Sequence, residues 1–156
     1  MKLLVFSDTH RETEPMLHAV RLEQPDTVIH LGDHAADAED LDREFPILPI
    51  VKVRGNCDRF GSEEPEEVLP QWRGIRILAT HGHRHGVKSG LLRLQYAAME
   101  KGADIALFGH THCPYCEQFD DLWLMNPGAC GGYRPTYGVI LIENDTVSCC
   151  VKEVSL

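Results

Sequence analysis

The chain has 156 residues, a formal charge of −9, 43 % hydrophobic and 25 % charged residues. Those values fit one globular domain over residues 1–156 with enough chain to bury a core, and the acidic balance argues against a long nucleic acid gripped by Lys and Arg. The apolar run at 3–6 is too short for a signal-peptide core, and no stretch reaches membrane-spanning length, so the six unevenly spaced cysteines are expected as reduced thiols in a cytoplasm.

The run at 3–6 predicts a strand buried on both faces. Met16, Leu17 and Val20 stand at helical spacing, so a helix follows over 12–23, stopped by Pro25. A second strand is predicted over 27–31, a short helix over 36–44 and a third strand over 47–53. This βαβαβ order yields a parallel sheet covered by helices. An acidic, Pro-containing surface connection at 62–67 leads into two short strands, 67–72 and 75–79, turning at Arg73-Gly74. The segment 87–101 carries apolar residues on two faces, Leu91, Leu94 and Ala98 on one, Leu92, Tyr96 and Met99 on the other. It predicts a long, well-buried helix ended by Gly102. Strands follow at 104–108, around Trp123, and over 137–142 and 147–154, the last two joined as a hairpin at Asn144-Asp145.

Each strong strand ends in ligand-type residues: Asp8-Thr9-His10, Gly32-Asp33, Gly55-Asn56-Cys57-Asp58, Thr80-His81-Gly82-His83 and Gly109-His110-Thr111-His112. In α/β sheets, sites form at the carboxyl ends of strands, so these clusters should converge. The glycines beside them permit positive φ and close backbone approach. Asp8, His10, Asp33, Asn56, His81, His110 and His112 make seven N/O donors, more than one metal takes and about what two metals sharing a carboxylate need, with ions roughly 3.5–4 Å apart. Two cations facing an anionic centre favour phosphoryl transfer.

The same blocks, in this order and across about two thirds of the chain, resemble those of the calcineurin-like metallophosphoesterases, in particular the small prokaryotic phosphodiesterase branch. The resemblance implies an α/β four-layer αββα sandwich of two mixed sheets flanked by helices. It also implies a division of ligands. One metal takes Asp8, His10, Asp33 and His112; the other takes Asp33, Asn56, His81 and His110, with Asp33 bridging. Manganese is the first expectation, with Zn²⁺, Fe²⁺ and Ni²⁺ as alternatives. The catalytic set is His10, Asn56, Cys57, Asp58 and His83, with Asp58 orienting the Asn56-Cys57 turn. Where much of that family has His after the Asn, this chain has Cys57, so the general acid falls to Cys57, His83 or a metal-bound water. Arg11 is either a substrate-phosphate contact or a solvated loop residue. Asn126-Pro127-Gly128 resembles the family's late loop near the site.

The expected function is hydrolysis of small or activated phosphodiesters by a metal-bridging hydroxide attacking in line. The alternatives are a phosphomonoesterase or nuclease on the same two-metal core, or a non-catalytic scaffold on the same fold, as a eukaryotic retromer subunit similar to this branch is thought to be. The partner is a small phosphate ester, with a homo-oligomer left open and no membrane. Bland readings attach to the remaining residues. His30 is expected as a hydrogen-bonded core residue, and His18 and His85 at the surface. His34 either lines the site or sits in a solvated turn. Cys113 and Cys116 are read as structural or incidental thiols, and the acidic run at 63–67 as a solvated loop.

Overall fold

The computed structural model describes residues 1–59 and 62–155. Five strands form the first sheet, in the order β11-β10-β1-β2-β3: β1 (Lys2–Phe6), β2 (Thr27–His30), β3 (Ile50–Lys52), β10 (Thr136–Glu143) and β11 (Thr146–Glu153). Six form the second: β4 (Glu67–Val68), β5 (Gln71–Trp72), β6 (Ile75–Thr80), β7 (Ile105–Leu107), β8 (Tyr115–Phe119) and β9 (Leu122–Asn126). Its main path is β4-β6-β7-β9-β8, with β5 paired to β6. Both sheets are mixed. β1, β2 and β3 run parallel, as do β6, β7 and β9, while β10, β11, β8 and β4 pair antiparallel.

The unbroken apolar run of β1 is explained by its two buried faces. Leu3 and Val5 point between the sheets, against Ile77, Ala79, Ile105, Leu107 and Met125. Leu4 and Phe6 point outward, under Met16, Leu17 and Val20 of α1 (Glu14–Glu23) and Leu41 of α2 (Glu39–Glu44). On the far side Leu78, Ala106 and Leu124 pack beneath Leu94 and Ala98 of α3 (Leu92–Glu100). The layers are therefore helix, sheet, sheet, helix, as the resemblance implies. No helix among the described residues is long and apolar enough to cross a membrane.

Several elements differ from expectation, each for a local reason. The third strand is only Ile50–Lys52, because Pro46 and Pro49 have no N–H to give a ladder; the Pro49 carbonyl instead accepts from Val28 N–H at 3.0 Å. The strand expected over 67–72 is split at Pro70. The helix expected over 36–44 opens as a 3₁₀ turn at Ala35–Ala38. The helix expected over 87–101 starts only at Leu92, after left-handed glycines at Gly86 and Gly90. It is not buried all round: Leu92, Tyr96 and Met99 are 61 %, 63 % and 64 % exposed. β8 is unforeseen; its outer half, Glu117–Phe119, is exposed, and it pairs at the sheet edge with β9 alone. The Asn144-Asp145 hairpin has both residues at positive φ, 48° and 63°, the demand of a tight two-residue turn.

The parallel strands β1, β2, β3, β6 and β7 all deliver their carboxyl ends to one edge of the sandwich. Backbone bonds lock the exits together: Asp8 N–H to Gly32 carbonyl (3.0 Å), Val53 N–H to His30 carbonyl (3.0 Å) and Gly109 N–H to His81 carbonyl (2.9 Å).

Candidate metal centre

The donors sit one to five residues past the end of a strand, where the chain must turn. Asp8, His10, Asp33, His110 and His112 themselves adopt left-handed φ, from 46° to 69°, a region that Asp and His tolerate better than most residues. The neighbouring glycines divide the work. Gly32 (φ 96°) and Gly82 (φ 104°) supply left-handed turns. Gly55 and Gly109 do not; they admit close approach. A Cβ at Gly55 would collide with Asp33 Oδ1, and one at Gly109 with Ser7 Oγ and Asp8 Oδ2.

Asp8 is fully buried. Its Oδ2 accepts from Ser7 Oγ at 2.6 Å and His110 N–H at 3.1 Å. Its Oδ1 accepts nothing, though His112 Nε2 is 3.2 Å away and His10 and His81 Nε2 are each 3.9 Å away. Asp33 Oδ1 accepts the Cys57 N–H at 2.9 Å and faces His81 Nε2 at 3.4 Å. Two groups of donors result, Asp8 with His10, Asp33 and His112, and Asp33 with His81 and His110. Within each group the ligand atoms lie within 4.8 Å of one another, and Asp33 belongs to both. The histidine rings pair likewise, His10 with His112 at 5.2 Å and His81 with His110 at 5.1 Å between centroids.

His81 shows how the site is prepared. Its Nδ1 lies 2.9 Å from the Leu31 carbonyl, a pure acceptor, so Nδ1 carries the proton and donates it there. The buried Nε2 is left with no hydrogen-bond partner. A histidine held through one nitrogen with the other bare is the arrangement of a metal ligand. Burial pushes the His81 pKa down, but the Asp33 and Asp8 carboxylates and the Leu31 carbonyl outweigh it, and the net shift is upward. Burial would likewise raise Asp33; His81 and the Cys57 N–H outweigh it and hold the carboxyl well below the usual range. An unpartnered buried polar atom costs about 1–3 kcal/mol. Asp8 Oδ1 and His81 Nε2 are two such atoms 3.9 Å apart, and an anionic oxygen beside a bare imidazole nitrogen is a donor set suited to a divalent cation.

The remaining expected residues flank these groups. Asn56 is exposed at the tip of its turn, Nδ2 3.5 Å from Cys57 Sγ. It lines a cavity of about 420 Å³ together with His83, Arg84 and Glu66. Asp58 anchors the turn: its carboxylate accepts from Asp33 N–H (2.9 Å), Ala35 N–H (2.8 Å) and Gly55 N–H (2.6 Å). The Cys57 thiol is exposed, and its pKa is pushed up by partial burial and by Asp33. The His83 ring lies 5.6 Å from that of His81 and 6.2 Å from that of His110, with Nδ1 buried and unpartnered. Burial and the neighbouring His81 lower its pKa.

His30 is a buried core residue. Thr9 Oγ1 donates to Asp37 Oδ2 at 2.7 Å and therefore accepts from His30 Nε2 at 3.2 Å, while His30 Nδ1 accepts the Gly32 N–H. Burial pushes its pKa down to about 4, so the ring is neutral. His85 departs from the surface reading: it is half-buried, with Nε2 2.8 Å from Glu67 Oε2. The acidic run is also more than a solvated loop, since Glu66 pairs with Arg54 (3.1 Å) and Arg84 (3.0 Å). Cys113 and Cys116 are free thiols, and Cys116 packs against the core between the sheets. Two residues outside the donor groups support the site. Ser7 steadies Asp8. Buried Asn126 donates to the Gly109 carbonyl (3.0 Å) and Thr111 Oγ1 (2.9 Å), fixing the loop that carries His110 and His112. The available signal was a polar residue at the end of an otherwise apolar strand.

A family model described as the calcineurin-like phosphoesterase superfamily domain matches residues 1–146. YsnB of Bacillus subtilis, named a probable metallophosphoesterase, is 37 % identical over 155 residues, covering 95 % of this chain and 88 % of that protein. MJ0936 of Methanocaldococcus jannaschii, named a phosphodiesterase, is 30 % identical over 162 residues, with 92 % and 94 % covered. A crystal structure from Streptococcus pneumoniae, described as a predicted phosphoesterase, superposes with a TM-score of 0.78 at 24 % identity, covering 97 % of this chain and 88 % of that one; at that identity it speaks for the fold. The family match runs through every strand end that carries a donor, and the chain belongs to the calcineurin-like phosphoesterase superfamily.

Proposed function

We propose that this chain is a metal-dependent phosphodiesterase acting on small or activated phosphodiesters, residues 1–156 forming its single domain. Asp8, His10, Asp33 and His112 would hold one divalent cation, and Asp33, Asn56, His81 and His110 a second. Manganese is the first choice, and Zn²⁺, Fe²⁺ and Ni²⁺ also suit N/O donors. Ions held there supply charge neutralisation at the phosphoryl oxygens and an acidified water as nucleophile. The observation that carries the reading is the pair of buried, unpartnered atoms, Asp8 Oδ1 and His81 Nε2, aimed into one space between two donor groups. A scaffold on the same fold gains nothing from that cost. The diester preference is supported by MJ0936, which is named a phosphodiesterase, and the six free thiols suit a reducing cytoplasm.

The protein's own groups divide the remaining work. Asp58 holds the Asn56-Cys57 turn against Asp33. Asn56 and His83 line one cavity, which supports a role for them in contacting the substrate phosphate. Partial burial and the neighbouring Asp33 carboxylate raise the Cys57 pKa, and the thiol stands with His83 as a candidate donor to the leaving alcohol.

The test strips the protein of metal, reloads it with each ion, and compares bis(4-nitrophenyl) phosphate with 4-nitrophenyl phosphate. The diester is expected to be hydrolysed faster. His112 is exposed, so His112→Ala should keep its circular dichroism while losing bound metal and nearly all activity. Full activity and unchanged metal content in that variant would sink the assignment.

A further inference from the structure

Beside the donor groups lies a cleft of about 570 Å³, lined among others by Arg11, His34, Cys57 and Arg59. Its size is that of a small-molecule site. It adjoins the centre: the His34 ring meets the His10 ring edge-on at 5.2 Å, and Cys57 donates its N–H to Asp33.

Four observations set its chemistry. Arg11 and Arg59 form no ion pair within 4.0 Å among the described residues, whereas Arg54 and Arg84, on the other flank, share Glu66. Two of the three acids near the two free guanidiniums are already engaged by hydrogen-bond donors. Asp37 takes the Thr9 hydroxyl and the Arg11 N–H, each at 2.7 Å, and Asp58 takes three backbone N–H groups; Glu64 completes the acidic lining. Arg11 also stands at φ 72°, where glycine is unstrained and a side chain is not. Its backbone is clamped there by Asp37, so the guanidinium projects from a fixed stem. The apolar lining among the described residues is limited to alanines, and the His34 imidazole is the one aromatic ring among them.

We infer that this cleft is a second anion subsite. It selects phosphodiesters bearing a further phosphate on one arm, which Arg11 and Arg59 grip while the scissile phosphate occupies the histidine–carboxylate centre. The inference rests on the phosphodiesterase reading and names the substrate class for that same site.

A matched pair of chromogenic diesters tests it on the Mn²⁺-loaded protein: the 4-nitrophenyl ester of thymidine 5′-phosphate, with and without a 3′-phosphate. The wild type should favour the 3′-phosphorylated ester about tenfold or more in kcat/KM, the worth of a charge-assisted contact. In Arg11→Ala and in Arg59→Ala that ratio should fall toward one, and Arg11→Lys should keep part of it. A wild-type ratio near one, or a ratio that survives both alanine variants, overturns the subsite while leaving the phosphodiesterase standing. No turnover of either ester, or of bis(4-nitrophenyl) phosphate, with any ion overturns the phosphodiesterase and the subsite with it.

Discussion

Replacing Asp58 by Ala is expected to be among the costliest single changes near the site, although Asp58 is only half-buried. Its two oxygens serve three backbone donors, Oδ2 those of Asp33 and Gly55 and Oδ1 that of Ala35. All three of those residues are buried, so truncation leaves three N–H groups with little access to water. Each unsatisfied group costs about 1–3 kcal/mol. Taking the low end because Asp58 itself borders solvent, the loss is about 3 kcal/mol, or roughly 6–12 °C in Tm for a chain of this size. Asp58→Asn retains one carbonyl oxygen for the two donors at the Oδ2 position and sets an amide against Ala35 N–H, so its cost should be about half as large. The assay is urea unfolding of metal-free protein, which removes any stabilisation by bound ions. An Asp58→Ala variant within about 0.5 kcal/mol of the wild type, the range of an uninvolved surface position, would refute the reasoning. So would an Asn variant less stable than the Ala variant.

Three further outcomes are expected. Burial raises the Glu23 pKa, but hydrogen bonds from Lys152, Lys2 and Tyr137 overcome it and hold the group at about 2 against an ordinary 4.5. The stability it contributes is complete above about 4.5 and lost as pH falls toward about 2; Glu23→Gln should remove that acid-side dependence, read as Tm against pH. Gly109→Ala drives a Cβ into Ser7 Oγ and Asp8 Oδ2 and should cost about 1–3 kcal/mol, together with metal binding measured by elemental analysis. Loading the metal-free protein with Mn²⁺ at about 100 times its Kd should stabilise it by about 2.7 kcal/mol, or roughly 5–10 °C. Scanning calorimetry that shows no shift with any candidate ion contradicts the assignment of these donors.

What the sequence made legible were elements whose partners are dictated by their own pattern. The apolar run of β1 has to be covered on both faces, and the polar cluster after Phe6 has to leave the sheet. The same logic found β2, β6 and β7 and the five strand ends. β8 escaped because it buries little: Glu117, Gln118 and Phe119 face solvent, so no apolar rhythm marks it, and only its pairing with β9 makes it a strand. The apolar pattern overextends α3 because Val87 and Leu91 are apolar for packing beneath it rather than for helicity. At the site, residue types and order were readable, but contacts across the fold were not. That Asp58 spans three backbone donors, that His81 points its bare nitrogen at Asp8, and that Glu66 pairs with Arg54 and Arg84 depend on segments brought together from different parts of the chain.

The distribution of backbone strain bears on why these loops are kept. Among the described residues, twelve that are not glycine have positive φ. Gln24 caps a helix, and Arg73, Asp120, Asn144 and Asp145 turn hairpins, where such geometry is ordinary. The other seven, Asp8, His10, Arg11, Asp33, His34, His110 and His112, surround the donor groups. At about 1 kcal/mol each they hold back an amount comparable with the net stability of a whole domain, about 5–15 kcal/mol. Glycine would relieve that strain but would remove a donor at five of the seven, the guanidinium at Arg11 and the ring at His34. The strain persists because surrounding groups over-determine it: Ser7 and the His110 N–H fix Asp8, Asp58 and the Cys57 N–H fix Asp33, Asn126 fixes the His110–His112 loop, and Asp37 fixes Arg11. Arg11 and His34 belong to this strained set although neither is in a donor group. A device built only to hold metal has no use for strain at those two positions, whereas one that also positions a substrate in the adjoining cleft does.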